Sequence, residues 1–241
     1  MKKELKINEA ANFLGVNPDT LRRWDKVGKI KPLNSGLGNH RKYDFLQLEY
    51  FLLNNIDYFA KKWINDDSSN LPNDLFYCPD SYIFQGRINK LKKELEKAGI
   101  DNNLSFLILA ITGEIGNNSF DHNIGNWSKV VGIFFSYNIE KREIFLIDKG
   151  QGIFSSLKKV IPNLSDDFIA LEKAFTQAIS SRYPESRGNG LKFVKDVVIN
   201  NKINLYFQSG KAYLILDNKN KEVKIKKAKK YFKGCLAKIN F

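Results

Sequence analysis

The chain has 241 residues, of which 43% are hydrophobic and 27% charged, with 16 glycines and 6 prolines. This composition excludes disordered, collagenous and low-complexity chains, and the length leaves room for one large domain or two smaller ones. Lys and Arg number 39 against 26 Asp and Glu, so the net charge of +13 indicates a polyanionic partner, with nucleic acid first and a nucleotide or an acidic membrane surface next.

Cysteine usage and hydropathy exclude further classes. Cys78 and Cys235 lie far apart, outside any CxxC or Cys/His cluster, so neither a zinc site nor a disulfide scaffold is predicted. The N-terminus has no apolar region of signal-peptide length, and no apolar run reaches the roughly 18 residues of a membrane span. We therefore expect a cytoplasmic protein with no membrane partner.

The N-terminal part predicts short helices joined by tight turns. A helix over residues 8–15 precedes a second helix capped by Asn17 and beginning at Pro18, which is the pattern of a helix-turn-helix. A glycine-tipped basic hairpin, or wing, is predicted over residues 35–43, and a further amphipathic helix over residues 44–62.

The second of these helices is predicted to enter the major groove of DNA, with the wing beside it. Leu21 and Trp24 are expected to face inward. The predicted DNA-binding residues are Asp19, Thr20, Arg22, Arg23, Lys26, His40, Arg41, Lys42 and Tyr43. The runs Ile7-Asn-Glu-Ala-Ala, Asp19-Thr-Leu-Arg-Arg-Trp24 and His40-Arg-Lys-Tyr43 resemble the winged helix-turn-helix of the MerR and excisionase group over residues 5–53. The resemblance implies that double-stranded DNA is a partner.

The sequence also departs from that group. MerR regulators continue into a long dimerising coiled-coil helix and an effector domain, and nothing after Asp66 has that pattern. Dimerisation by that route is not expected, while a homodimer of another kind and a protein partner stay open. The alternative interpretation of this segment is a small helical protein-interaction module whose arginines are solvated.

A change to Asp, Ser, Asn and Pro predicts a linker over 66–80 between a DNA-binding domain, 1–65, and a second domain, 81–241. The predicted elements of the second domain are helices over 81–98, 104–122, 166–180 and 190–200 and strands over 129–137, 143–148, 203–208, 211–216, 222–226 and 235–241, with a turn at Ser209-Gly210. The predicted fold class is α+β in two domains, a small winged helix-turn-helix plus an α/β sandwich with one helical layer on a mixed β-sheet.

Three polar motifs follow one another in the second domain. Glu114, Asn118 and His122 are spaced by four residues, so one helix face carries a carboxylate, an amide and an imidazole, and Asp121 joins it. The second motif is a buried strand that ends at Asp148 before a Gly-x-Gly loop, where backbone can approach a flat ligand. The third is another glycine turn, 186–191, entering a helix whose N-terminal amides suit phosphate.

In this order the motifs resemble the ATP-binding domain of gyrase, Hsp90, histidine kinases and MutL, the GHKL or Bergerat fold, over residues 81–241. The resemblance implies ATP and Mg²⁺ as cofactors. Asn118 would ligate Mg²⁺, Glu114 would be the catalytic residue that positions or activates water, and Asp148 would accept the adenine amino group. The other implied nucleotide contacts are Asp121, His122, Gly150, Gly152, Arg187, Gly188, Gly190 and Leu191, and residues 154–187 would include a lid.

The combination predicts an ATP-binding, DNA-binding regulator, most simply of transcription, in which Mg-ATP binding or slow hydrolysis modulates DNA engagement. Hydrolysis stays open, because Ser186 replaces a glycine of the family's last motif and the chain ends at Phe241 without a following lysine-bearing domain. Histidine autokinase activity is not expected, since no histidine precedes the ATP domain except His40 in the wing. The rivals are a serine/threonine kinase resembling anti-sigma factors and a nucleotide-binding pseudoenzyme scaffold. The lysine-rich run 219–233 is predicted to be a solvated strand face, or else an extension of the DNA footprint.

Overall fold

The structure, a computed structural model, describes residues 3–34, 41–66, 68–179, 189–219 and 222–241. Two β-sheets and the helices packed on them form the fold of these residues. The elements, in chain order, are β1 (Glu4–Lys6), α1 (Ile7–Phe13), α2 (Pro18–Lys26), β2 (Lys42–Asp44), α3 (Phe45–Asn54), α4 (Ile56–Ile64), β3 (Tyr77–Cys78), α5 (Ser81–Lys97), α6 (Asn102–Asn123), β4 (Ile133–Asn138), β5 (Glu143–Asp148), α7 (Gly152–Lys158), α8 (Asp167–Thr176), α9 (Gly190–Asn200), β6 (Asn204–Leu216) and β7 (Ile225–Asn240). Within the described part of the chain, no helix is both long enough and apolar enough to span a bilayer.

The N-terminal elements form a helix-turn-helix closed by a two-stranded sheet. The side chain of Asn17 accepts a hydrogen bond from the backbone N–H of Thr20 at 2.7 Å, so the predicted cap of α2 is confirmed. β1 pairs antiparallel with β2, and the backbone N–H of Leu33 donates to the carbonyl of Lys42 at 2.7 Å, across the base of the predicted wing. The tip of that wing lies outside the described residues. The single helix expected over 44–62 is two helices, because Asn55 leaves the helical conformation between α3 and α4.

The larger sheet has the strand order β3-β4-β5-β7-β6, and every pairing in it is antiparallel. The expectation of a mixed sheet was therefore wrong for the strands that the structure describes. The reason is topological: the helical crossover from β5 leads to β6 in the same direction, but β7 lies between these two strands and pairs antiparallel with both.

The last two strands are longer than the sequence pattern indicated. Residues 203–216 were predicted as two strands joined by a turn at Ser209-Gly210, but that dipeptide is an irregularity within the continuous strand β6. A β-bulge accommodates the positive φ of Gly210 without ending the strand. The two strands predicted over 222–226 and 235–241 are likewise one strand, β7.

The five-stranded sheet separates two hydrophobic cores. In β5, Ile144 and Leu146 face a core shared with α5, α6, α8 and α9, whereas Phe145 and Ile147 face a core shared with the helix-turn-helix. This alternation follows from the period of two in a strand. The sheet therefore has the expected helical layer on one face and the N-terminal domain on the other.

The segment predicted as a linker takes part in this packing. Phe76 is fully buried in the core beneath the helix-turn-helix, and Tyr77–Cys78 pair with β4 as the edge strand β3. The guanidinium of Arg87 donates to the carbonyls of Leu75 and Asp74 at 2.7 and 2.6 Å. The division into 1–65, 66–80 and 81–241 stays a prediction, but the end of the middle segment is anchored on the sheet.

Candidate functional site

A cavity of about 530 Å³ opens between the sheet and the helices α6, α7, α8 and α9. Residues from all three sequence motifs line it, although these motifs lie up to 76 positions apart in the chain, from Glu114 to Gly190. Its polar and small lining residues are Glu114, Asn117, Asn118, Ser119, Asp121, His122, Asn123, Asp148, Gly152, Ser156, Asn189, Gly190 and Cys235. Its apolar lining residues are Ile115, Ile153, Leu157, Ala174, Ile179, Leu191, Phe193 and Phe207.

Asp148 is the most deeply buried carboxylate of the cavity, with 1% of its surface exposed. It ends β5 on the face of Ile144 and Leu146, which is the face that α6 covers. Burial raises the pKa of its carboxyl above the ordinary value, and hydrogen bonds from Gly150, Ser119 and Asn123 oppose that rise. The Oδ1 atom accepts from the backbone N–H of Gly150 at 2.8 Å and from Asn123 Nδ2 at 3.2 Å, and Oδ2 accepts from Ser119 Oγ at 2.8 Å.

The predicted polar stripe of α6 lies along one side of the cavity. Asn118 Nδ2 donates to Glu114 Oε1 at 2.9 Å, so the amide and the carboxylate are held together. His122 Nδ1 is 3.3 Å from Ser156 Oγ on α7, and Asp121 lines the cavity from an exposed position. Gly190 begins α9 against this stripe, and a Cβ there would lie 1.7 Å from Glu114 Oε1. A larger residue at this position would require the Glu114 side chain to move.

The two glycines after Asp148 have different roles. Gly152 lines the cavity with a φ of +78°, in the left-handed region that favours glycine, and begins α7. Gly150 is buried and does not line the cavity, because it packs on the side chain of Asn123, where a Cβ would come within 2.1 Å. The predicted position of Gly150 beneath a flat ligand is therefore not what the structure has. Arg187 and Gly188 lie outside the described residues.

Among the residues that were not predicted, three make hydrogen bonds that shape the site. Ser119 and Asn123 hold the carboxylate of Asp148, and Ser209 on the β6 bulge accepts from the backbone N–H of Ile153 at 2.9 Å and donates to the carbonyl of Gly234 at 2.9 Å. Ser119 and Asn123 are four residues apart on α6, each one position after a residue of the predicted polar stripe. Their polar side chains at otherwise buried positions could have indicated this role from the sequence. Ser209 gave no such indication, because its segment was interpreted as a turn.

The cavity has properties that suit a nucleotide. Its volume falls within the roughly 300–1,000 Å³ of small-molecule sites, and its walls combine apolar side chains with a few convergent polar groups. Asp148 Oδ2 accepts a hydrogen bond from Ser119 Oγ, and Cys235 on β7 also contacts this carboxyl group. The oxygen donors of Glu114 and Asn118 are of the type that Mg²⁺ prefers. Asn189, Gly190 and Leu191 at the start of α9 also line the cavity, and the N-terminus of a helix suits phosphate.

The predicted DNA-binding residues lie on α2, β2 and the segment before β2. Arg23 and Lys26 are exposed, Arg22 forms an exposed ion pair with Asp19, and the side chain of Thr20 is half-buried. Leu21 and Trp24 are buried, so their predicted inward orientation is confirmed.

The wing residues have more varied positions. Arg41 Nε donates to Asp25 Oδ2 at 3.0 Å, which fastens the base of the wing to α2, and Lys42 pairs with Glu4 at 2.9 Å. Tyr43 is fully buried in the domain core, so the predicted contact between Tyr43 and DNA does not agree with its position; alternation along β2 turns its ring inward. His40 lies outside the described residues.

This geometry defines a helix-turn-helix joined to a second, sheet-based part that carries a polar cavity. Residues 6–43 match the model of the MerR family regulatory protein, so the N-terminal segment is a MerR-family helix-turn-helix domain. The chain is also similar to the Type II methyltransferase M.Eco47II of Escherichia coli, with 31% identity over 100 residues. That match covers 42% of this chain but 22% of the relative, so the chain spans about a fifth of the length of that protein.

Proposed function

We propose that this protein is an ATP- and DNA-binding regulator, most simply of transcription, in which Mg-ATP in the cavity changes how the MerR-family domain engages DNA. The observation that carries the proposal is the pair of neighbouring residues at the end of β5. Asp148 lines the cavity on one face of the sheet, and Lys149 contacts the helix-turn-helix on the other.

The contacts of Lys149 are made with the end of α4. Its Nζ atom lies 4.6 Å from the centroid of the Trp63 ring and donates to the backbone carbonyl of Asp66 at 2.5 Å. The residue is 9% exposed, so its cation is largely shielded from water, where cation–π attraction is strongest. A shift of the backbone at Asp148 would therefore move a contact of the DNA-binding domain through a single peptide unit.

The roles proposed for the cavity residues follow from their chemistry. Asp148 would accept the adenine amino group, the α9 N-terminus with Gly190 would bind phosphate, and Asn118 would help hold Mg²⁺. Glu114, held by Asn118, would orient a water molecule for attack on the terminal phosphate. Bound Mg²⁺ would supply neutralisation of phosphate charge in any hydrolysis.

Regulation by ATP also requires that the nucleotide bind the two DNA-binding states of the protein with different affinity. A donor on Asp148 would favour the ionised carboxylate and restrain the end of β5. Lys149 would transmit that restraint to α4, and α4 packs on α2.

The test is a titration of the full chain with duplex DNA, with and without Mg-ATP, and a parallel calorimetric titration with Mg-ATP alone. Asp148→Asn keeps the size of the side chain and can still satisfy Gly150, Asn123 and Ser119, but it presents an N–H where the adenine amino group needs an acceptor. We expect it to weaken ATP binding at least tenfold, corresponding to about 1.4 kcal/mol, and to abolish the effect of ATP on DNA affinity. The matched control is Asp74→Asn at an exposed position, which should change neither.

Lys149→Met separates binding from coupling. It should leave ATP and DNA binding each within a few-fold of the wild type while reducing the ATP-dependent change in DNA affinity. A wild-type protein that binds Mg-ATP without any change in DNA affinity would remove the regulatory part of the proposal, and one that does not bind Mg-ATP would remove the nucleotide part.

A further inference from the structure

The N-terminal half of β7 forms an open edge of the large sheet. β5 pairs with β7 only over residues 235–240, whereas β6 pairs with β7 over residues 225–227, at Phe232 and over residues 235–240, with an irregular register between these stretches. Over residues 225–233, β7 therefore has β6 on one edge, with an interruption at residues 228–231, and no neighbouring strand of the described chain on the other. An open edge leaves that side of the strand accessible to an approaching partner.

This edge has a one-sided charge. β7 carries six lysines and no acidic residue. Five of the lysines, Lys226, Lys227, Lys229, Lys230 and Lys233, are exposed and form no ion pair with the described residues. Tyr231, between them, is 60% exposed. We call residues 226–233 the lysine edge.

The lysine edge is continuous with the DNA-binding domain. Phe232 is buried in the core beneath the helix-turn-helix, and Lys230 Nζ donates to Asn65 Oδ1, just after α4, at 3.2 Å. Farther along β7, Lys238 pairs with Asp57 of α4 at 3.4 Å. The strand that carries the exposed lysines is thus attached to α4 at two points, and it extends the surface of that domain.

We propose that the lysine edge binds the phosphate backbone of duplex DNA beside the site engaged by the MerR-family domain. The argument rests on charge complementarity and on this continuity. Residues 1–60 hold 10 Lys and Arg against 7 Asp and Glu, a net charge of only +3, whereas the whole chain has +13. Phosphate contacts from lysines add affinity without reading sequence, so they supply what the nearly neutral N-terminal domain lacks. The inference rests on the DNA binding of the proposed function, but not on ATP.

The experiment compares two triple variants of the full chain that remove the same charge. Lys226→Gln with Lys229→Gln and Lys233→Gln changes the lysine edge and spares Lys230, which contacts Asn65. The control, Lys90→Gln with Lys92→Gln and Lys93→Gln, changes three exposed lysines of α5, on the opposite face of the sheet. Affinity for a 40-bp duplex of random sequence is measured without nucleotide between about 50 and 200 mM salt, the range in which phosphate contacts dominate the change.

Each lost phosphate contact lowers the slope of log affinity against log salt by about 0.9, so the lysine-edge variant should lose up to about 2.7 in slope. Its affinity at the lowest salt should fall roughly tenfold or more, while the control keeps the wild-type slope. Equal slopes for the two triple variants would overturn the proposal. So would unchanged DNA affinity with new self-association in size-exclusion chromatography, because the lysines would then serve to prevent strand pairing at the edge.

Two further arms separate the partners. Vesicles with 30% phosphatidylserine are titrated in parallel, and binding to vesicles that depends on the lysine edge while duplex binding does not would also overturn the proposal. Arg22→Ala with Arg23→Ala tests the MerR-family domain itself. If the lysine-edge variant loses salt slope as expected but Mg-ATP has no effect on DNA affinity, the proposed function alone is contradicted. If the Arg variant loses DNA affinity but the lysine-edge variant does not, this inference alone is contradicted.

Discussion

Burying an ionised carboxylate in the cavity costs free energy, because the charge loses its hydration. Asp148 is almost fully enclosed, and three hydrogen bonds from Ser119, Asn123 and Gly150 only partly replace water. Burial raises its pKa in the folded protein above the value in the unfolded chain. The folded state therefore binds the proton more tightly, and the free energy of unfolding falls as the pH rises from the unfolded pKa, about 3.9, to the folded pKa.

Asp148→Asn should remove this pH dependence. Above the folded pKa we expect the variant to be more stable than the wild type, by about 1.4 kcal/mol for each unit by which the pKa is raised. The difference should shrink as the pH falls through this window. Urea unfolding at pH 4 to 8 measures it, with Asp74→Asn expected to stay within about 0.5 kcal/mol of the wild type. A variant less stable than the wild type at pH 7 would contradict the burial argument.

At this scale the sequence predicted much of the cavity lining, because spacing on a helix is set by local geometry. Glu114, Asn118 and His122 share a face for that reason, and Asp148 follows from the apolar run before it. The burial of Tyr43 and the packing of Gly150 could not be predicted, because each depends on residues distant in the chain. A tyrosine beside basic residues reads as a surface residue until the neighbouring core is known.

At the scale of elements, α6 is positioned by a close approach to α5. The ring of Phe84 on α5 packs against Gly116, where a Cβ would lie 2.1 Å from the ring. Phe84 is itself fully buried and touches Phe135 of β4 in an edge-on arrangement, with ring centroids 5.1 Å apart. A shift of the ring would therefore disturb its contact with Phe135.

Two alanine substitutions on α6 should have opposite effects. Gly116→Ala is expected to destabilise the protein by about 1–3 kcal/mol through overpacking against Phe84. Gly113→Ala, where nothing lies within 4 Å of the added Cβ, should stabilise it by about 0.5–1 kcal/mol, because alanine favours the helix. Thermal unfolding of both variants tests the pair, and a gain in stability for both would show that Phe84 can yield.

The elements themselves were predicted unevenly. β5 was predicted with its observed limits, because a continuous apolar run bounded by polar turns is typical of a strand buried on both faces. β6 was not, because Ser209-Gly210 has the composition of a turn, and only pairing with β7 shows that the strand continues through it. Pairing between distant segments leaves no local signal.

For the whole molecule, the important feature is a sheet with two cores. Trp63 of α4 stacks on Phe134 of β4 with ring centroids 6.1 Å apart, and Phe76 lies 4.8 Å from the same ring. The composition of this segment predicted a polar linker between two domains, because Phe76 and Tyr77 are outnumbered by its polar residues. Nothing in the composition of this segment indicates the apolar face of β4 and β5 that receives the two rings.

Because the helix-turn-helix shares a core with the sheet, the protein should unfold as one cooperative unit. We expect coincident midpoints from tryptophan fluorescence, which includes Trp24 and Trp63 of the N-terminal domain, and from far-UV circular dichroism. Phe134→Ala should lower the free energy of unfolding by about 3–5 kcal/mol, and both probes should still coincide. Two separate transitions in the wild type would show that the domains are energetically independent.

The position of β7 also determines the order in which the fold can be completed during synthesis. β5 gains its second neighbour only when β7, which is made roughly 80 residues later, inserts between it and β6. Phe232 of that same strand completes the core beneath the helix-turn-helix. The N-terminal domain is thus made well before β7, but its sheet-facing surface stays exposed until that strand arrives, a long-range closure of the kind that slows folding.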